Sequence, residues 1–326
     1  MRPRATTRTR YAALAAILAL LLAACGGGGG SESADGGGSE AGSESAALAE
    51  QVDLSGVDIT VGSKEFTEQL ILGNITKLAL EAAGANVNDQ IGLQGSAVVR
   101  EALTSDQIDT YWEYTGTGWI THLGETEAKE GEEAQFEAVK EADAENDITW
   151  FAVAPMNNTY ALAVKEGGPD ISKLSEVEGM TSGGDNPGLC AASEFLNRDD
   201  GLPGLEEAYG FDFEDITEVE LGLIYTQIGS DCTFGEVFAT DGRIAAQNLK
   251  VLEDDENFFP KYNAALTMRS EVFDENSEQY QQLFGPIAEK LTNDQMIELN
   301  KRVDVDGEDP ADVAQQFLVD NGFISG

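Results

Sequence analysis

The chain has 326 residues, 60 acidic and 19 basic side chains, a formal charge of −41 and a single histidine. A surface this acidic is repelled by phosphate backbones and anionic membranes, which excludes nucleic-acid binding. Metal and triad chemistry are also poorly supplied: only His122 could serve a Ser-His-Asp set, no serine lies in a Gly-x-Ser-x-Gly turn, and Cys-x-x-Cys does not occur.

Arg2, Arg4, Arg8 and Arg10 precede an uncharged apolar run from Tyr11 to Ala24, the basic and hydrophobic regions of a secretory signal peptide. The run is shorter than the roughly 20 residues a membrane span needs. It closes on Leu22-Ala23-Ala24-Cys25, which resembles the lipobox of bacterial lipoproteins and implies that Cys25 is lipidated and begins the mature chain. An ordinary secretory signal with an incidental cysteine is the alternative. Residues 1–25 hold four Arg and no acid, so the remainder stands at −45. Such a charge fits adaptation to high salt, where self-repulsion is screened, or simply an acidic secreted protein with solvated carboxylates. From Gly26 to about Ser45 the chain is mostly Gly, Ser, Glu and Asp, a flexible tether that we extend to residue 56.

Residues 57–326 exceed the usual size of one domain and are expected to form two lobes. Asp58 to Gly62 alternates as a strand, and Thr67 is expected to N-cap a helix with the stripe Leu70, Ile71, Ile75, Leu78 and Ala82, stopped at Gly84. A second helix follows Ser96, and Ile108 to Trp112 reads as a strand entering the loop from Glu113 to Thr117. This alternation predicts an α/β fold with largely parallel sheets. Tyr160 to Val164 is another strand, and Asp170 to Phe259 carries the signals of a second lobe inserted into the first. The expected limits are 57–163 and 264–326 for lobe 1 and 164–263 for lobe 2, with a hinged cleft between them. Near the C-terminus, Thr292-x-x-Gln295 is a capping box, and Asp309-Pro310 is an N-cap followed by Pro at N1.

Beyond Cys25 only Cys190 and Cys232 remain, and in an extracytoplasmic setting they are expected to be bridged rather than free. A loop of that size stabilises by about 3–4 kcal/mol in the chain-entropy account. Asp304-x-Asp306-Gly307-x-Asp309 looks superficially like a calcium loop, but its glycine is misplaced for an EF-hand. No metal or cofactor is expected.

Six segments, in order along nearly the whole mature domain, resemble the glycine betaine, choline and carnitine binding proteins of osmoprotectant ABC importers. They are Gly62-Ser63-Lys64-Glu65-Phe66-Thr67-Glu68-Gln69, Glu113-Tyr114-Thr115-Gly116-Thr117, Asn157-Asn158-Thr159-Tyr160-Ala161-Leu162, Arg198-Asp199-Asp200-Gly201-Leu202-Pro203, Phe238-Ala239-Thr240-Asp241-Gly242-Arg243 and Pro260-Lys261-Tyr262-Asn263. The resemblance implies the two-lobed type II periplasmic-binding-protein fold and an aromatic cage of Tyr114, Tyr160, Phe238 and Tyr262 around a trimethylammonium group. Quaternary nitrogen has no N–H to donate, so ring faces must hold its charge, at ~0.5–2 kcal/mol per contact. Asn158 would add an oxygen dipole, and Lys64, Thr117 and Arg198 would hold a carboxylate, at ~1.5–3 kcal/mol per charge-assisted bond. Phe238 stands where the family more often has Tyr, and the segment from Gly183 to Ala192 also departs from the shorter version in some relatives. The implied partners are a small quaternary-ammonium ligand, the permease and ATPase subunits of an importer, and the membrane through the lipid anchor, with the protein itself a monomer and not an enzyme. Rival readings are a choline or carnitine binder, a surface hydrolase using paired carboxylates, and an adhesive lipoprotein; His122 is read as structural.

Overall fold

A computed structural model of the protein describes residues 46–126, 129–183 and 187–326. The signal peptide, Cys25 and the tether up to residue 45 lie outside the described residues. Strands β1 (Asp58–Lys64), β2 (Asn86–Leu93), β3 (Thr110–Tyr114) and β4 (Ile148–Phe151) join β10 (Ala264–Arg269) in a sheet of order β2-β1-β3-β10-β4. Strands β5 (Tyr160–Lys165), β6 (Leu189–Ala191), β7 (Ile216–Glu218), β8 (Phe234–Phe238) and β9 (Leu249–Val251) form a second sheet of order β7-β6-β8-β5-β9. The chain thus leaves the first sheet after β4, builds all of the second, and returns as β10.

That route corrects the expectation of largely parallel sheets. β1 runs parallel to β2 and β3, and β6 parallel to β7 and β8, as helical crossovers dictate. The two strands that arrive from the other lobe, β5 and β10, run antiparallel to both their neighbours. The crossings are joined by the isolated bridge Asn157↔Asn263. Strand β5 therefore belongs wholly to the second sheet, and the boundary moves from 163/164 to just before Tyr160.

The tether also ends earlier than residue 56. Ala49, Val52 and Leu54 are buried, and the amides of Leu48 and Ala49 donate to the carbonyls of Gly322 and Phe323. A segment that buries three apolar side chains in the main core cluster is part of the domain. Helix α1 (Thr67–Ala82) is capped by Phe66 without a side-chain bond, because the Thr67 hydroxyl donates instead to Asp304 at 2.6 Å. Its buried face is Ile71, Leu72, Ile75, Ala79 and Leu80, while Leu70 and Leu78 are half-buried and Ala82 is exposed. Helix α2 (Ser96–Thr104) starts where expected. Thr292 accepts from the amide of Gln295, and Asp309 from that of Ala311 with Pro310 at N1. In the calcium-like spacing, Asp304 meets Thr67 and Arg243, and Asp309 caps its own helix. Cys190 of β6 and Cys232, just before β8, are disulfide-bonded, with Cα atoms 5.7 Å apart.

Candidate functional site: an aromatic cleft between the two sheets

A cavity of about 530 Å³ is lined from the first lobe by Lys64, Phe66, Ser96, Tyr114 and Thr117, and from the second by Tyr160, Glu194, Arg198, Glu236 and Phe238, with Tyr262 on the returning crossing. The topology explains the convergence, since β1, β3 and β8 end at this space and β5 and β10 begin beside it. Tyr114 is the last residue of β3, Tyr160 the first of β5 and Phe238 the last of β8, with Tyr160 and Phe238 paired in register.

The rings form one connected group. Tyr160 lies 5.1 Å from Phe238 and 5.7 Å, edge-on, from Tyr262. Phe66, which the sequence reading passed over, links Tyr114 to the group, at 5.5 Å from Phe238 and 6.2 Å from Tyr114. Gly116 makes room for this packing: a Cβ there would sit 2.7 Å from the Tyr262 ring.

Behind the rings stands Glu68, a buried carboxyl that sequence reasoning missed. Its Oε1 accepts from the Tyr114 hydroxyl at 2.7 Å and from Asn158 Nδ2 at 2.8 Å. Its Oε2 accepts from the Thr240 hydroxyl at 2.5 Å and from Asn300 Nδ2 at 3.1 Å. Burial raises its pKa from the ordinary glutamate value, and those four donors oppose the shift. Asn158 is therefore not the free oxygen dipole expected: its amide donates to Glu68, and its Oδ1 points to the amide of Thr240 at 3.5 Å.

The three polar residues expected to hold a carboxylate also line the cavity, but with partners of their own. Lys64 Nζ donates to Glu113 at 2.7 Å, both side chains being buried. Burial alone would raise Glu113, yet Lys64 and His122, whose ring nitrogen lies 2.8 Å from Oε2, hold it well below the usual range. Arg198 donates to Asp200 through Nε at 2.7 Å and Nη2 at 2.5 Å, to Glu194 at 2.8 Å and to the Thr117 hydroxyl at 3.3 Å. Burial opposes its charge, but the acids and phenols around it keep the guanidinium protonated. Both cations also approach rings, Lys64 Nζ at 5.2 Å from the Tyr114 centroid and Arg198 Cζ at 5.6 Å from that of Tyr160. An ammonium has three N–H donors and a guanidinium five, so each keeps donors beyond those used. All eight expected site residues thus border one cavity, and the acids Glu68, Glu113, Asp200, Glu194 and Glu236 are the additions.

Two lobes joined by two crossings, with an aromatic cavity between them, define a substrate-binding protein of the periplasmic-binding-protein class. The chain belongs to the family described as the substrate binding domain of ABC-type glycine betaine transport systems, whose sequence profile matches residues 57–320. It is 37% identical over 296 residues to the glycine-betaine-binding protein of Pseudomonas aeruginosa, covering 87% of this chain and 93% of that one. It is 32% identical to the glycine betaine-binding protein YehZ of Escherichia coli, covering 81% of this chain and 91% of that one. Among solved structures, a glycine betaine/carnitine/choline ABC transporter protein superposes with a TM-score of 0.67 at 25% identity, over 82% of this chain and 98% of the other. Among the described residues, no helix is long and apolar enough to cross a membrane and no acid, His or Cys cluster could hold a metal ion.

Proposed function

We propose that the cleft captures a small quaternary-ammonium osmoprotectant, glycine betaine before others, for an ABC importer. The observation that carries this reading is the ring group of Phe66, Tyr114, Tyr160, Phe238 and Tyr262 beside the unused N–H donors of Lys64 and Arg198 in one cavity. The rings supply faces for a trimethylammonium group that can accept no hydrogen bond and offer none. Lys64, Thr117 and Arg198 supply donors to a carboxylate. Choline, a cation without a carboxylate, is the second reading, favoured by the acids that already compensate Lys64 and Arg198 and so weaken the cleft's pull on an anion; carnitine, a carboxylate-bearing zwitterion like betaine, would use the same donors as betaine.

The protein works outside the cytoplasm as a monomer, tethered by a lipid on Cys25, and delivers its ligand to permease and ATPase subunits. A thermal-shift screen over glycine betaine, choline, carnitine, proline betaine and common amino acids tests the ligand class. A ligand at about 100 times its Kd stabilises the folded state by about 2.7 kcal/mol. A shift with amino acids and none with quaternary ammonium compounds would refute the reading.

A further inference from the structure

Glu236 is only 1% exposed, yet it lines the cleft. It lies on β8 two residues before Phe238, so the two side chains share a face of the strand. Its backbone is paired with Leu162 of β5. One carboxyl oxygen accepts the amide N–H of Ala192 at 2.7 Å, the one hydrogen-bond partner it has among the described residues. A buried carboxyl with a single protein donor, on the wall of a ligand cavity, must complete its bonding with what enters that cavity. It can do so in two ways. Protonated, it donates an O–H; ionised, it accepts and attracts positive charge.

We propose that Glu236 is a specificity-determining residue that reads the ligand's net charge: in its neutral form it donates to the carboxylate of a zwitterion, and in its ionised form it favours a simple cation. This rests on the quaternary-ammonium reading given above. Burial pushes the Glu236 carboxyl up to about 8, with Glu194 acting in the same direction and the Ala192 amide and Arg198 against it. Three titratable neighbours are shifted away from that range. Glu194, which burial would raise, is lowered from its ordinary value by Lys64 and Arg198; Arg198 stays cationic; and burial lifts the Tyr160 phenol well above its ordinary value. Glu218 at the end of β7, Glu220 just beyond it, and Lys64 and Glu65 across the space are the other charges bordering the cleft.

Glycine betaine then binds best while Glu236 keeps its proton and loses affinity as the proton leaves, whereas choline gains affinity through the same window. Isothermal titration calorimetry of the full chain with glycine betaine and with choline chloride, at about pH 6.5 and about pH 9.5, should show the betaine-to-choline affinity ratio falling by roughly tenfold or more. In buffers of different ionisation enthalpy, betaine binding near the midpoint should take up protons and choline binding should release them. Glu236→Gln, a permanently neutral donor, should abolish both the proton exchange and the pH dependence of the ratio. A wild-type ratio that stays constant with no proton exchange overturns the proposal, as does linkage that survives in Glu236→Gln. If that variant does not fold, the wild-type proton exchange decides alone. Failure of both ligands to bind at any pH would instead strike the quaternary-ammonium reading and take this inference with it.

Discussion

At the ring end of the cleft, polar groups from four parts of the chain converge on one hidden carboxyl, Glu68, whereas at the other end two cations, Lys64 and Arg198, are each met by acids close to them in the fold. The ring end shows a ligand mostly apolar faces, with its acid held behind them. The polar end shows N–H donors whose charge is already largely compensated. Neither end therefore projects a strong field of its own. Discrimination must come from the geometry of rings and donors and from Glu236, a buried carboxyl on the cleft wall with a single donor among the described residues. The ends also differ in how they join the lobes. Glu68 of the first lobe is tied to Thr240 of the second, while Ser96 and Thr117 of the first lobe meet Glu194 and Arg198 of the second at 2.7 and 3.3 Å. Both ends thus tie the two lobes together, one through a buried acid that accepts four donors and the other through paired ions.

The severest way to break the comparison is Arg198→Ala, which leaves the buried Asp200 without its cation, with the Tyr262 hydroxyl as donor at 2.7 Å, and Glu194 with one donor fewer. Removing one member of a buried pair costs about 3–5 kcal/mol, so urea unfolding should show a loss of that order. Calorimetry on the folded fraction should show betaine weakened more than choline, because only betaine offers the lost donor an anion. Equal losses for both ligands would mean that Arg198 is a scaffold for Asp200 and Tyr262 and does not hold a carboxylate.

A second test uses pH. An unfolded glutamate ionises near 4.3, whereas burial holds Glu236 up to about 8 in the folded chain. Between those values the folded state keeps a proton that the unfolded state has lost, so stability falls as pH rises, by as much as about 1.4 kcal/mol per unit. Glu68, also raised, acts with the same sign. Glu113 and Glu194 act oppositely and lower down: both are depressed, so their contribution is present above the ordinary carboxylate range and is lost as pH falls through their folded values. Unfolding midpoints between about pH 5 and pH 8 should decline in the wild type and flatten in Glu236→Gln. A wild-type midpoint that rises across that range would show that Glu236 is ionised in the folded chain.

Tyr160→Ala sharpens the comparison from the ring side. Tyr160 touches Phe195, Phe238, Phe259 and Tyr262, and it is a ring that every quaternary ammonium ligand would use. Its loss should weaken betaine and choline alike, by about 1–2 kcal/mol each. A loss confined to betaine would place Tyr160 with the polar end, beside the Arg198 guanidinium that lies over its ring.

How much of this was open to sequence reasoning follows from where each partner sits in the chain. Tyr114, Tyr160, Phe238, Tyr262, Lys64, Thr117 and Arg198 fall in short recognisable segments, and all of them border the cavity. Glu113, one residue before Tyr114, and Asp200, two after Arg198, lie inside those same segments; an acid so close to a cation or ring expected to bind was a signal that could have been weighed. Glu68 and Phe66 stand in the segment that supplied Lys64. Glu68 could be understood only once Thr240 and Asn300, 172 and 232 residues further on, were placed beside it. Pairing at such separations follows from which strands cross between lobes, and local propensity does not carry that information. The same limit explains the misjudged strand direction: β5 and β10 look like any other apolar strand, and their antiparallel setting comes from the lobe the chain has just left.

The mildest substitution separates the ring from the bond behind it. Tyr114→Phe keeps a ring beside Phe66 and removes only the hydroxyl that donates to Glu68 at 2.7 Å. Glu68 Oε1 still has Asn158, and Oε2 still has Thr240 and Asn300, so the carboxyl is not stranded. What is lost is the tie that fixes the ring's tilt, a bond of about 0.5–1.5 kcal/mol net. If Glu68 acts as the anchor of the ring end, betaine and choline should weaken equally and by no more than that amount, and Glu68→Gln, which keeps an acceptor for the hydroxyl, should restore much of the affinity lost by Glu68→Ala. Calorimetry on these three variants would sink the anchor role if Tyr114→Phe cost as much as Tyr160→Ala, since the hydroxyl would then be meeting the ligand itself. It would equally do so if Glu68→Gln and Glu68→Ala bound both ligands like the wild type, since the rings would then be held by their packing alone.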